Sequence, residues 1–270
     1  MGRLCYNRCM NLPKALFFDV DGTLLDTNTH KVPQSTVNAL NALADQGYLI
    51  CIATGRNMDM VQELNLKGLV KWKFLICGNG HVILDEQFKI IRHHFVSSSS
   101  VKALIERATA MNMPVFLAGP DGDMMSMPPN AYVEISHRFY KEPIPKVKAY
   151  EGERIDKIVL YEKEDFDWSV FSDLSELEVK PTMTTSADVM EAGISKHSSI
   201  LDVLKTHGYP DYYIAFGDSM NDMEMLRHAP ISVAMGNAID DIKKIAHYVA
   251  DDVDKDGIAK MLKQLGYCID

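Results

Sequence analysis

Short apolar runs alternate with amphipathic stretches near both ends of the chain, and each run stops on small or polar residues. Lys14–Val20 reads as a buried strand that breaks into Asp19-Val20-Asp21-Gly22-Thr23. Pro33 then opens a helix in which Val37, Leu40, Leu43 and Ala44 recur at helical spacing, and Gly47 closes it. Tyr48–Ala53 is a second buried-type strand, followed by Thr54-Gly55-Arg56 and a helical stretch reaching Gly68. Phe74–Cys77 is a third strand and ends in Gly78-Asn79-Gly80. The same grammar returns late in the chain. Tyr212–Phe216 ends at Gly217-Asp218 before a helix over Met220–His228; Ile231–Ala234 ends at Gly236-Asn237; Tyr248–Ala250 precedes a terminal helix over Lys255–Leu265. Strands separated by helices predict parallel βαβ units, hence an α/β fold with helices on both faces of a parallel sheet.

The middle of the chain breaks this pattern. Val82–Phe95 reads as a hairpin, Val101–Met111 as a helix and Asp121-Gly122-Asp123 as a tight turn. Arg154–Tyr161 and Leu177–Met183 then read as strands flanking a helix near Phe166–Leu174. The expected organisation is a core made of 1–83 and 189–270, interrupted by an α+β insertion over 84–188.

Composition narrows the class. The 270 residues are 47% hydrophobic and 24% charged, enough for a substantial core without metal or disulfide staples. A net charge of −9 argues against a general nucleic-acid binder or a partner of anionic membrane surfaces, both of which need a basic footprint. No apolar run approaches the roughly 18–20 residues of a membrane span. The start has Arg3 and Arg8 but no apolar stretch of a secretory signal, and Met10 offers an alternative start. Cys5, Cys9, Cys51, Cys77 and Cys268 are odd in number and scattered, which fits a reducing cytoplasm. Cys51 and Cys77 lie in apolar runs and read as core. Met124, Met125 and Met127 read as core filling too, while His93 and His94 read as solvated.

In open α/β sheets, ligands bind beyond the carboxyl ends of the strands. Those ends supply Asp19 and Asp21, then Thr54, then Asn79, then Asp218 with Asn221 and Asp222. The set is all oxygen donors and amides, without histidine or cysteine, and suits a hard cation such as Mg²⁺. Asp19 and Asp21 stand two apart and emerge on one side of an extended chain. If Asp218 opens a helix, Asn221 and Asp222 return over the same face. A turn or a cap explains any one of these aspartates; it does not explain their convergence. Arg56 either touches phosphate or serves its helix, Asn79 is either a turn residue or part of the site, and His197 reads as an exposed helix-start residue.

These motifs are recognisable. Asp19-Val20-Asp21-Gly22-Thr23-Leu24 after an apolar strand resembles the first motif of the haloacid dehalogenase (HAD) superfamily, and Ala53-Thr54-Gly55-Arg56 its second. Lys196 in Gly193-Ile194-Ser195-Lys196 resembles the third, although His197 follows where relatives often have glycine. Gly217-Asp218-Ser219-Met220-Asn221-Asp222 resembles the fourth. With a large insertion after the third strand, the chain is similar to the Cof-like sugar-phosphatase branch. That implies a Rossmann-like core with an α+β cap domain.

The resemblance also implies roles. Asp19 would attack phosphorus and carry it as an aspartyl-phosphate; Asp21 would protonate the leaving alcohol and then activate water. Mg²⁺ would be held by Asp19, the Asp21 carbonyl and Asp218, with Asp222 behind them orienting metal-bound water or Lys196. Thr54, the Gly55 amide and Lys196 would hold phosphate oxygens, and Arg56, Asn79 and Asn221 would line the phosphate or substrate site. The expected partner is a small phosphorylated metabolite of sugar-phosphate type, with no nucleic acid or membrane and a monomer or weak homo-oligomer. Two rivals stay open: a phosphotransferase or phosphomutase on the same fold, and a non-catalytic phosphoacceptor signalling domain. Asp21 weighs against the second, since a signalling phosphoaspartate should persist.

Overall fold

The structure is a computed structural model that describes residues 12–182 and 184–269. Cys5, Cys9 and Met10 lie outside the described residues. The chain divides into two compact units, one built from the segments up to His93 and from Ser195 onward, the other from His94–Ile194.

The first segment runs β1 (Ala15–Phe18), α1 (Gln34–Asp45), β2 (Leu49–Ala53), α2 (Met58–Glu63), β3 (Trp72–Cys77), β4 (Val82–Leu84) and β5 (Ile90–His93). The inserted unit runs α3 (Ser98–Ala110), β6 (Val115–Ala118), β7 (Met124–Met125), α4 (Ala131–Tyr140), β8 (Lys157–Tyr161), β9 (Leu177–Pro181) and β10 (Ser186–Glu191). The last segment runs α5 (Lys196–Thr206), β11 (Tyr213–Gly217), α6 (Met223–His228), β12 (Ile231–Ala234), α7 (Asp240–Ile245), β13 (Tyr248–Val249) and α8 (Gly257–Leu265).

Among the described residues the first unit holds an eight-stranded sheet in the order β13-β12-β11-β1-β2-β3-β4-β5. Its strands from β13 through β3 pair in parallel, and the β4–β5 hairpin adds two antiparallel strands to the β3 edge. Both faces are covered, which explains why β1 is apolar throughout. Leu16 and Phe18 point into one hydrophobic cluster, Ala15 and Phe17 into the other. The order reverses at β1, flanked by β11 and β2, and that switch point opens a crevice at the carboxyl ends.

The inserted unit is a five-stranded antiparallel sheet, β7-β6-β8-β10-β9, with its own core around Val101, Leu104, Leu117, Ile158 and Leu160. Met124 and Met125 are buried in it, as expected of gap-filling methionines, whereas Met127 is only half-buried. Its limits differ from the 84–188 expected from pattern. The β4–β5 hairpin belongs to the large sheet, and β10 carries the insertion to Ile194. Two more differences have local causes. The helix expected to run to Gly68 stops at Glu63, because Asn65 and Gly68 both adopt positive φ. α4 was not visible in the sequence; Asn130 starts it by accepting from the Tyr132 and Val133 amides. His94 is not simply solvated, since its Nε2 bonds Glu191 Oε2. Among the described residues no helix is long and apolar enough to cross a membrane. Cys51 and Cys77 are buried, and burial pushes the Cys51 thiol up to about 12.

Candidate active site

The parallel register places the first and fourth motifs side by side. Phe18 pairs with Phe216, and the Asp19 amide donates to the Phe216 carbonyl at 3.0 Å, so Asp19 and Asp218 leave adjacent strands together. Asp19 is buried at 4% exposure and Asp218 at 9%; Asp222, in the 3₁₀ turn Met220–Asp222, is fully buried. One carboxylate oxygen from each lies within 4.8 Å of the others, the one such potential metal group among the described residues.

Lys196 enters from the first turn of α5. Ser195 caps that helix by accepting from the Ser198 amide at 3.1 Å, while Ser198 Oγ accepts from the Ser195 amide at 2.9 Å. The Lys196 ammonium is almost fully buried and donates to Asp19 Oδ1 at 2.7 Å and to Asp222 Oδ1 at 2.6 Å. Asp222 Oδ2 accepts from the Asp218 and Ser219 amides at 2.9 and 3.1 Å. Both of its oxygens are therefore engaged in holding Lys196 and the start of the fourth motif. Gly217 permits this approach: a Cβ there would lie 2.6 Å from Asp222 Cγ.

Burial sets the electrostatics. It lifts the Asp19 carboxyl to about 7, with the Asp222 charge adding to the lift and Lys196 opposing it. Burial, then the Asp19 and Asp222 charges, hold Asp218 well above the ordinary carboxylate range. Burial opposes the Lys196 charge, but Asp19 and Asp222 together outweigh it and raise its pKa. Three acids and one lysine out of water leave an excess of negative charge, which a cation or protons must relieve. The donors are oxygens, and Asp19 and Asp218 face one another without engaging backbone amides as Asp222 does. The set could hold a hard divalent ion, and of its members Asp222 already has both oxygens engaged by Lys196 and two amides.

Further polar groups close in on this pocket. Thr23 Oγ1 donates to Asp218 Oδ1 at 3.1 Å. Gly22 sits at φ +76°, and a Cβ there would be 2.5 Å from Asp218 Oδ2. Thr54 is buried at the end of β2, and its Oγ1 accepts from the Arg56 amide at 3.1 Å. Asn79 adopts a left-handed conformation, and its amide donates to the Thr54 carbonyl at 3.0 Å. Asn221 Nδ2 donates to Asn79 Oδ1 at 3.3 Å, and a Cβ on Gly55 would come within 3.1 Å of both side chains. Gly55, Asn79 and Asn221 thus form one tight junction between β2, β3 and β11.

Arg56 engages a partner that its place in the second motif does not signal. Its Nε and a terminal nitrogen form a fork on Asp21, at 2.7 Å to each carboxylate oxygen, with the Asp21 side chain 47% exposed. His197 is half-buried rather than exposed, and its Nδ1 bonds the Tyr213 hydroxyl at 2.8 Å. Sequence reasoning gave no role to Thr23 or Asn237, although both stood in the strand-end segments. Their bonds reach 195 and 215 residues along the chain, which no local pattern signals.

This chain is similar to proteins of known family and structure. A family model of haloacid dehalogenase-like hydrolases matches residues 16–262. YkrA of Bacillus subtilis is 30% identical over 94% of this chain and 98% of its own length. The 5-amino-6-(5-phospho-D-ribitylamino)uracil phosphatase YcsE of the same organism is 26% identical over 93% of this chain and 94% of its own length. Among solved structures, BT1666 from Bacteroides thetaiotaomicron, described among phosphatases of the HAD superfamily, superposes with a TM-score of 0.87 at 30% identity. That match covers 95% of this chain and 96% of the other. The HAD subclass IIB sugar phosphatase BT4131 superposes with a TM-score of 0.80 at 31% identity, covering 93% and 98%. The fold and the acidic pocket define a HAD-type α/β hydrolase. The chain belongs to the haloacid dehalogenase-like hydrolases, in their Cof-like branch.

Proposed function

We propose that this protein is a Mg²⁺-dependent phosphatase that hydrolyses a small phosphorylated metabolite, of sugar-phosphate type, through an aspartyl-phosphate on Asp19. The observation that carries the reading is the buried meeting of Asp19, Asp218, Asp222 and Lys196 at the switch point of the sheet. The names of YcsE and BT4131, both phosphatases of phosphorylated polyol or sugar compounds, support the substrate class.

Asp19 and Asp218, with the Asp21 carbonyl, would hold Mg²⁺, whose charge offsets repulsion between the acidic pocket and a phosphate dianion. Asp19 attacks phosphorus in line with the leaving oxygen; the Asp19 O–P bond forms as the P–O bond to the alcohol breaks. Asp21 gives its proton to that alkoxide. In the second half Asp21, now a carboxylate, takes a proton from water. The water oxygen attacks phosphorus and the Asp19 O–P bond breaks, releasing phosphate and restoring Asp19. Lys196 stays charged and pulls on phosphate oxygens from beside the nucleophile, while Thr54 and the Gly55 amide receive the remaining ones. For Asp21 to act as an acid, the Arg56 fork must open, and a phosphate oxygen is a competing partner for that guanidinium.

A panel of phosphorylated metabolites assayed for phosphate release, with and without Mg²⁺, tests the reading. Metal-dependent release that vanishes in Asp19→Asn is expected. Turnover that survives excess chelator, or the Asn variant, would overturn it.

A further inference from the structure

We infer that Asn237 is a positioning residue for the cation site: its amide clips the loop after Asp19 in place and so fixes the separation between that loop and Asp218. The inference rests on the Mg²⁺ reading above.

Asn237 follows β12 and reaches two other segments at once. Its Nδ2 donates to the Gly22 carbonyl at 2.7 Å, and its Oδ1 accepts from the Val253 amide at 3.1 Å. The second bond anchors the side chain to the turn before α8, so the amide is oriented before it meets the loop. Gly22 is meanwhile pressed against Asp218: a Cβ there would meet Oδ2 at 2.5 Å and Asn237 Nδ2 at 3.3 Å. Thr23, the next residue, donates to Asp218 Oδ1 at 3.1 Å. The absence of a side chain at Gly22 lets the loop lie beside Asp218. The Asn237 and Thr23 bonds stop it from moving away.

The loop held in this way carries the Asp21 carbonyl, one of the three oxygens assigned to the ion. Mg²⁺ demands a near-ideal octahedron at about 2.0–2.1 Å, so a shift of a few tenths of an ångström costs affinity. Partners lying behind metal ligands typically change affinity by about 10–100-fold when removed. Asn237→Ala removes the donor to Gly22 and leaves every ligand oxygen intact.

Calorimetric titration of metal-free protein with Mg²⁺, together with the Mg²⁺-induced rise in Tm, reads the effect directly. Asn237→Ala should bind Mg²⁺ about tenfold more weakly or worse. Its kcat should recover to within a few-fold of wild type once Mg²⁺ saturates, a recovery that general damage to the fold would not allow. Mg²⁺ affinity within twofold of wild type would overturn the inference. Should the alanine variant not fold, Asn237→Asp keeps an oxygen for Val253 and loses the donor to Gly22. Weaker Mg²⁺ binding in spite of the added negative charge supports the inference, and equal or tighter binding overturns it. A wild-type protein that binds no Mg²⁺ would defeat the metal reading itself. Wild type and variants binding alike would defeat the role of Asn237 alone.

Discussion

Asp222 holds Lys196 at 2.6 Å through one carboxylate oxygen, while its other oxygen ties down the Asp218 and Ser219 amides. A single side chain thereby places the Lys196 ammonium next to Asp19 and ties down Asp218 just after β11. Removing it leaves a buried ammonium with one partner fewer and two amides without their acceptor. Asp222→Ala should lower stability by about 3–5 kcal/mol, as breaking buried ion pairs does, read by denaturant titration. Activity should fall by at least about a hundredfold at a temperature where the variant remains folded, since Lys196 loses its fixed place at a developing charge. Near-normal turnover would show that Lys196 does not depend on Asp222.

The metal-free protein should become less stable as pH rises. Asp19 is lifted from an ordinary 3.8 to about 7 by burial and the Asp222 charge, and Asp218 is raised too. An acid with a higher pKa folded than unfolded binds protons preferentially in the folded state. Its stabilising effect is present at low pH and lost as pH climbs from about 4 through about 7. Mg²⁺ held by Asp19 and Asp218 would compete with those protons. The Mg²⁺-induced rise in Tm should therefore grow between pH 5 and pH 8, as thermal denaturation at each pH would reveal. A shift that is flat or shrinks over that range contradicts the ligand assignment.

Asp21→Asn should separate the two half-reactions. With an aryl phosphate, whose leaving group needs no proton, Asp19 can still be phosphorylated, but no carboxylate remains to activate water. Phosphorylated protein should accumulate, with a burst of phenol and a steady rate lowered by about 10²–10⁴-fold. Rapid-quench kinetics and intact-protein mass spectrometry would detect it. A variant with no burst and no phosphoprotein would remove Asp21 from the second step.

The Arg56–Asp21 fork is partly exposed, so it contributes little to stability. Arg56→Ala should change unfolding free energy by no more than about 1 kcal/mol. It should nevertheless reduce kcat/KM by about tenfold or more, because Asp21 loses its orientation and phosphate a bidentate donor. Equal kcat/KM in the variant would make the fork a surface ion pair with no catalytic part.

Gly217 has no room for a side chain. A Cβ on Gly217 would strike Asp222 Cγ at 2.6 Å, and Asp222 is fixed by Lys196 and two amides. Gly217→Ala should destabilise by about 1–3 kcal/mol, as overpacking does, and reduce activity through displaced Lys196. Differential scanning calorimetry with parallel assays would check both effects.

Much of the core was legible along the chain. Strands buried on both faces must be apolar throughout, so Ala15–Phe18, Leu49–Ala53 and Tyr213–Gly217 stand out, and the polar residues at their ends mark the crevice. The inserted unit was harder. β6, β7, α4 and β10 are short or partly exposed, and their pattern is fixed by pairing rather than by local sequence. Composition, strand-end chemistry and motif order belong to local sequence, because they depend on which residues follow one another. The partners of those residues do not. That Arg56 forks onto Asp21, that Asp222 seats Lys196 and that Asn237 reaches Gly22 are products of the β1–β11 register and of loops packed against one another. Contacts between residues 26 to 215 positions apart are decided only when folding removes the alternatives.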